Sequence, residues 1–215
     1  MEHNAEYLVN ASLGDKLEVV IKDLPATEVT LVEILDSIGY DSLLFVTIFL
    51  SLVFLVPVSI PGVSTVFGSA ILLIGISRLI GRKLWVPKWI ASRTISSEKL
   101  TVVLNRALKF FRKLEKFSRP YQFRSITSDG KAGLFNKLAY VFAAVLLMVP
   151  FGFVPFSNTL PALALIFLSV GEMQKDGRCV FIGHLANLVT VIYFSALVAG
   201  GGMTIYEIVR LASGT

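Results

Sequence analysis

Three stretches of this chain carry no formal charge: 36 residues between Asp41 and Arg78, 34 between Lys137 and Glu172, and 28 between Arg178 and Glu207. A soluble surface needs more polar side chains than this, whereas one membrane crossing requires their absence over roughly 20 residues. Across the 215 residues, 54% are apolar and 16% charged, against about a quarter charged in ordinary soluble domains. The composition excludes a disordered chain and disfavours a soluble enzyme. The class expected is an integral membrane protein.

The last stretch, centred on Val180–Ala199, fits one crossing, with Gly200-Gly201-Gly202 expected to end it. The other two are too long for one helix each, and each carries breakers at its middle. The first reads Val-Pro57-Val-Ser-Ile-Pro61-Gly62-Val-Ser64-Thr65; the second reads Val-Pro150-Phe-Gly152-Phe-Val-Pro155-Phe-Ser157-Asn158-Thr159-Leu-Pro161. Proline removes a backbone donor and restrains its predecessor, and glycine opens the left-handed region. Each stretch therefore predicts a helix, an unwound polar turn, and a second helix starting near Ser64 or Asn158, where serine and asparagine are good N-caps.

The two stretches also align. Pro61 set over Pro155 puts Ser64 over Asn158, Thr65 over Thr159, Ala70 over Ala164 and Arg78 over Glu172. Matched breakers favour an internal repeat; two convergent hairpins are the alternative.

Charge is pooled elsewhere. Residues 1–41 hold nine acids against Lys16 and Lys22, a balance of −7, and 78–137 hold fifteen bases against three acids, a balance of +12. Between hydrophobic runs, such a basic block reads as a cytoplasmic loop facing anionic lipid, not as a nucleic-acid surface. The first thirty residues lack a basic region followed by an apolar core, so they read as an acidic leader, not a signal peptide. From Ser97 to Ser118, apolar residues recur at three- and four-residue steps, with Lys109, Arg112, Lys113 and Lys116 largely opposite. That pattern predicts a basic amphipathic helix in the membrane interface. Trp85 and Trp89 suit an interfacial anchor.

Enzyme signatures are absent: no phosphate-binding loop, dinucleotide fingerprint, zinc-protease or nucleophile-elbow motif. Only His3 and His184 supply imidazoles, and Cys179 stands alone, so neither a metal site nor a disulfide is expected. No catalytic residue and no cofactor are predicted. The unwound turns are the candidate site. Helix breaks inside a bilayer free backbone groups that must find partners or line a wet cavity. Amides at helix starts attract anions and freed carbonyls suit cations. Candidate substrate- or ion-binding residues are Pro61, Gly62, Ser64, Thr65, Ser157, Asn158, Thr159 and Pro161. Water-satisfied hairpin tips explain the same residues equally well. Arg78, Glu172 and Asp176 border the hairpins and can pair, gate or simply anchor. His184, Asn187 and Thr190 share one face of the last helix, where interhelical hydrogen bonding is the favoured role. Asp176-Gly177 reads as a turn.

Laid out this way, the chain resembles the ExoD family of bacterial membrane proteins. The resemblance rests on Pro61-Gly62-Val-Ser64-Thr65-Val-Phe-Gly68, Gly81-Arg82-Lys83-Leu-Trp85-Val-Pro87, Asn158-Thr159-Leu160-Pro161-Ala162 and Gly171-Glu172-Met-Gln-Lys-Asp176-Gly177. It covers roughly residues 38–210. Members often have glycine where this chain has Ser157. The resemblance implies a multi-pass inner-membrane protein associated with exopolysaccharide production, with no catalytic residue assigned.

The expected fold is all-α and polytopic. It comprises an acidic cytoplasmic leader (1–41), a first Pro-broken hairpin (42–80), re-entrant or spanning, and a basic cytoplasmic loop (81–133) containing the 97–118 helix. A second hairpin (134–175), a transmembrane helix (178–200) and a short tail (201–215) follow. Five short segments leave a small core, which favours a homodimer. The leading functional expectation is transport of a small ion or solute at the two turns. The alternatives are a non-transporting scaffold or regulator of an envelope polysaccharide machine, or a lipid-handling protein.

Overall fold

The computed structural model describes residues 13–24, 28–30, 42–55, 62–81, 94–117, 123–127, 130–149 and 154–213. The helices are α1 (Leu13–Lys22), α2 (Ser42–Leu52, continued by a 3₁₀ turn Val53–Leu55), α3 (Val63–Ile80), α4 (Ser97–Phe117), α5 (Arg124–Thr127), α6 (Lys131–Met148), α7 (Thr159–Met173) and α8 (Gly177–Ser213). The described residues are helical as expected, apart from one three-residue ladder among them in which β1 (Glu28–Thr30) pairs antiparallel with β2 (Thr94–Ser96). Pro61, Trp85 and Trp89 lie outside the described residues.

Helix ends follow the breakers. α2 tightens into a 3₁₀ turn just ahead of Pro57. α3 begins after Gly62 (φ 85°) and ends at Gly81 (φ 72°), whose N–H donates to the Ser77 and Arg78 carbonyls. Both glycines occupy the left-handed region that a Cβ disfavours. The first helical start therefore falls at Val63, near Ser64 as expected, but the N-cap is Gly62 and Ser64 lies inside the first turn. Asn158 is the N-cap residue of α7, but its side chain makes no capping bond.

α7 closes without glycine. Lys175 takes the left-handed conformation (φ 52°), the Asp176 N–H donates to the Gly171 carbonyl at 2.8 Å, and the Lys175 N–H donates to Glu172 at 3.3 Å. This is the paired-bond closure of a Schellman motif. Asp176 then opens α8, its Oδ1 accepting the Arg178 N–H at 2.9 Å. The turn expected at Asp176-Gly177 is thus a shared C-cap and N-cap, and it folds α8 back along α7.

One expectation fails. α8 does not stop at the triglycine; it continues through Gly200-Gly201-Gly202 to Ser213. Glycine disfavours a helix by about 1 kcal/mol per residue but does not forbid helical angles. In apolar surroundings no water competes for the backbone groups, so the hydrogen-bond ladder wins.

α3 lies antiparallel to α6, with Gly68 beside Met148 and Gly75 beside Tyr140. α2 lies antiparallel to α7, joined where Thr159 Oγ1 donates to the Phe54 carbonyl at 2.8 Å. The first helix of each hairpin therefore packs on the second helix of the other. The core contains Phe45, Ile48, Ile71, Tyr140, Leu147, Leu165 and Leu168.

The surface is apolar where a soluble protein would be polar. Leu73 (61% exposed), Phe135 (62%), Phe181 (61%) and Ile192 (60%) face outward, while Thr47, Ser51, Asn136, Ser169, Asp176, Asn187 and Thr190 are buried. Apolar outside and polar inside is the arrangement that lipid selects. Val63–Ile80, Lys131–Met148 and Gly177–Gly201 are long and apolar enough to cross a membrane; Leu43–Leu55 and Thr159–Met173 are apolar but shorter. These three helices make the protein membrane-like in class.

The basic helix α4 agrees with its expected span of 97–118 to within one residue. Its partner was not foreseen. α1, from the acidic leader, packs against it: Leu17 is fully buried, Leu104 nearly so, and Arg112 bonds both Asp15 (2.9 Å) and Glu18 (3.0 Å). Part of the apolar stripe assigned to lipid is thus covered by protein, and Arg112 is engaged by the leader and not left for a membrane surface. Lys109 and Lys113 remain exposed. Lys116 lies in the last turn of the helix. Exposed pairs are each worth under about 1 kcal/mol, so the buried Leu17 and Leu104 carry most of this contact and the ion pairs add to it. Arg112→Glu is expected to speed amide exchange in α1 about tenfold, and Arg112→Glu with Glu18→Arg to restore most of the protection. Equal exchange in all three proteins, read by mass spectrometry, would remove the ion pairs from the contact.

Candidate functional site

The described residues that flank the proline turns, Phe54 and Gly62 of the first and 154–159 of the second, lie at one end of the bundle. Phe54 sits in a 3₁₀ turn whose next hydrogen bond would come from residue 57, a proline without an N–H. Thr159 satisfies that orphan carbonyl from the other hairpin. Ser157 is buried and its hydroxyl donates to the Val154 carbonyl at 2.8 Å. Tyr193 of α8 donates to the Pro155 carbonyl at 2.7 Å. The Val154 carbonyl, at the second turn, is therefore served by a protein donor. Asn158 and Pro161 are buried. Gly62 and Thr65 are exposed, Ser64 is half-buried, and the Thr65 carbonyl accepts the Ser69 hydroxyl at 2.6 Å. Of these candidates, Thr159 ties the two hairpins together through a bond to Phe54.

A denser polar cluster lies at the opposite end, about 20 Å from the first turn by the rise of α3 between Thr65 and Arg78. Arg78 Nη2 donates to Glu172 Oε1 at 2.5 Å, with side-chain exposures of only 12% and 27%. The guanidinium carbon stands 5.8 Å from the centroid of the Tyr140 ring, within range of a cation–π contact. The Tyr140 hydroxyl hydrogen-bonds Thr47 Oγ1. Four helices, α2, α3, α6 and α7, thus each contribute one group. Gly75 is what lets α3 close on α6, since a Cβ there would meet the Tyr140 ring at 2.8 Å.

The cluster continues toward α8. His184 Nε2 lies 2.9 Å from Asn136 Oδ1, Asn136 Nδ2 donates to the Ile126 carbonyl at 2.8 Å, and Asn187 Nδ2 donates to Ala139 at 3.0 Å. Phe135 stacks on the His184 ring at 4.9 Å. His184 and Asn187 thus bond between helices, as expected, whereas Thr190 bonds back to Ala186 within α8. Asp176 is fully buried and acts as the cap described above. Arg78 and Glu172 pair; Asp176 takes a different role.

Thr47, Tyr140 and Asn136 were not among the sequence candidates. Thr47 and Tyr140 each stand among apolar neighbours as an isolated polar group, which is the one signal they offered; Asn136 stands beside Lys137. No group of three or more metal-ligating side chains occurs among the described residues.

A helical bundle with spanning-length apolar helices, an apolar exterior and a part-buried Arg–Glu pair defines a membrane protein with a polar core. The chain matches the family model described as "Exopolysaccharide synthesis, ExoD" over residues 13–196. It is 40% identical over 186 residues to Protein ExoD of Rhizobium meliloti (strain 1021), covering 86% of this chain and 77% of that protein. It is 29% identical over 174 residues to an uncharacterized protein of Synechocystis sp., covering 77% and 78%. No solved structure matches. The chain belongs to the ExoD family, which is associated with exopolysaccharide synthesis.

Proposed function

We propose that this ExoD protein moves a small ion or solute across the inner membrane during exopolysaccharide production, with the Arg78–Glu172 pair as its control point. The observation that carries the reading is the pair itself. Ionisable groups inside an apolar bundle are costly, and where they occur they commonly mark an ion or solute path. The pair joins the two hairpins, and its members are the residues placed over one another when the hairpins are aligned. Equivalent residues of a repeat touch where its two-fold axis passes. The exchanged packing of α2 on α7 and α3 on α6 supports the same symmetry. Parallel repeats about an axis along the membrane normal are a known transporter plan, with the path between the repeats. The proline turns then form the far end of that path.

The basic block keeps the 81–133 loop, and with it the Arg78–Glu172 end, on the cytoplasmic side. Lys109 and Lys113, exposed on α4, favour contact with anionic head groups as an accessory role.

Solute and ion flux into proteoliposomes tests the reading. Glu172→Gln is expected to cut flux at least about tenfold, the equivalent of ~1.4 kcal/mol on the barrier. Flux lost in Thr65→Val with Asn158→Val but kept in Glu172→Gln would move the site to the turns. No flux of any probe through folded wild-type protein would leave a scaffold of the polysaccharide machine as the better account.

A further inference from the structure

Arg78 has two terminal nitrogens, and the ion pair uses one. Nη2 donates to Glu172, whereas Nη1 is fully buried with no hydrogen-bond partner. A guanidinium has donors only, so an acceptor alone can answer that unmet arm. One turn before Glu172 on α7, the Ser169 hydroxyl is also buried and without a partner. Residues three apart share a helix face. Glu172 thus has an unused guanidinium arm beside it and an unused hydroxyl one turn away on its own helix.

Among the described residues, few other charges are at hand. α2 has none, α3 has only Arg78 and α7 only Glu172. α6 adds Lys131, exposed at its start, and Lys137, half-buried and three residues before Tyr140; Lys175, exposed, follows Glu172 by three residues. From α8, His184 bonds Asn136, and the preceding Asp176 caps the Arg178 N–H. Among the described residues, the charge balance of the pair is therefore set chiefly by its two members.

With Glu172 ionised, the pair is neutral and closed. When Glu172 takes a proton from water, it loses its charge, and Arg78 is left as an uncompensated cation in an apolar bundle. An unpaired buried charge is strongly unfavourable, and an incoming anion restores neutrality. Resting on the reading of this pair as the control point, we infer that Arg78 and Ser169 seat a small monovalent anion, which enters as Glu172 is protonated. One proton and one anion then bind together, and both leave when the carboxylate re-forms its bond to Arg78.

Calorimetric titration of the purified full-length protein with nitrate and with chloride, in buffers of different ionisation enthalpy, tests this. The competent fraction is the protonated one, so apparent affinity is expected to fall as pH rises. About one proton should be taken up per anion bound. Glu172→Gln, which keeps an acceptor for Arg78 but no charge, is expected to bind both anions equally at every pH with no proton uptake at this site. Arg78→Gln is expected to bind neither. Should Arg78→Gln fail to fold, Ser169→Ala provides the second measurement, with about tenfold weaker binding and an unchanged pH profile. Binding by wild type that ignores pH, or no binding by folded wild type and Glu172→Gln alike, overturns the inference. Proton-linked binding without flux would keep it and remove the transport reading, while flux without proton-linked binding would do the reverse.

Discussion

Glu172→Leu is expected to lower the stability of the folded protein by about 3–5 kcal/mol, whereas Arg78→Met with Glu172→Leu should cost much less. Arg78 and Glu172 are bonded at 2.5 Å with 12% and 27% of their side chains exposed. Removing one partner leaves the other charge facing Tyr140 and apolar side chains, with little water to solvate it. Removing both leaves two apolar side chains of similar size in an apolar bundle. The sign of the coupling is therefore the test. Reversible unfolding in mixed micelles, followed by helical circular dichroism, gives the two single losses and the double. If the losses simply add, the two charges do not depend on each other, and the contact cannot be the control point proposed above. Glu172→Gln should fall between these extremes, because its amide oxygen still accepts from Arg78.

Gly171→Ala is the other large effect expected, at about 3 kcal/mol or more, the upper range for overpacking. A Cβ at residue 171 would lie 2.6 Å from the Val180 backbone nitrogen, 2.7 Å from Val180 Cγ2 and 2.9 Å from the Asp176 carbonyl oxygen. Two of these are backbone atoms of the turn and helix start that join α7 to α8, so no side chain can swing aside. The same substitution elsewhere should behave differently. At Gly62 nothing lies within 4 Å, but φ is +85°, so Ala should cost only about 1–2 kcal/mol through backbone strain. At Gly200 nothing lies within 4 Å and the backbone is helical, so Ala should be neutral or stabilising by up to ~1 kcal/mol. Thermal unfolding of the three variants ranks them. Gly171→Ala no worse than Gly62→Ala would mean that α7 and α8 do not approach as closely as the structure has them.

These predictions rest on contacts that differ in how far the chain itself announces them. Proline and glycine act within a few residues, so the breaks between α2 and α3 and between α6 and α7 could be placed from the order of residues. The period of Leu100, Val103, Leu104, Ala107 and Leu108 likewise outlines α4 almost to the residue. Membership of the ExoD family was legible in motifs alone and stands on the comparisons. The partner of α4 was not legible, because Asp15 and Glu18 reach Arg112 across more than ninety residues. No periodicity records such a pairing. The triglycine misleads for the opposite reason: its local preference is weak, and apolar surroundings override it.

The candidate site divides in the same way. The turn residues stand out because breakers are visible in any order-of-residue reading, yet the carbonyls of Phe54, Val154 and Pro155 accept bonds from Thr159, Ser157 and Tyr193. Arg78 and Glu172 were visible as the charges bordering two uncharged stretches, with anchoring as the ordinary reading. Thr47 and Tyr140 carry no charge and break no helix, so being lone polar groups among apolar neighbours is their one local mark, and it names no partner.

The three uncharged stretches, 36, 34 and 28 residues long, were enough by themselves to determine that this protein is a bundle of apolar helices broken at two prolyl turns. That follows because desolvation of charge and loss of a backbone donor act residue by residue. Only the tertiary structure decided that Arg78 and Glu172 face each other and not the solvent. A buried ion pair depends on two helices, ninety-four residues apart, being held within one hydrogen-bond length, and packing alone supplies that distance.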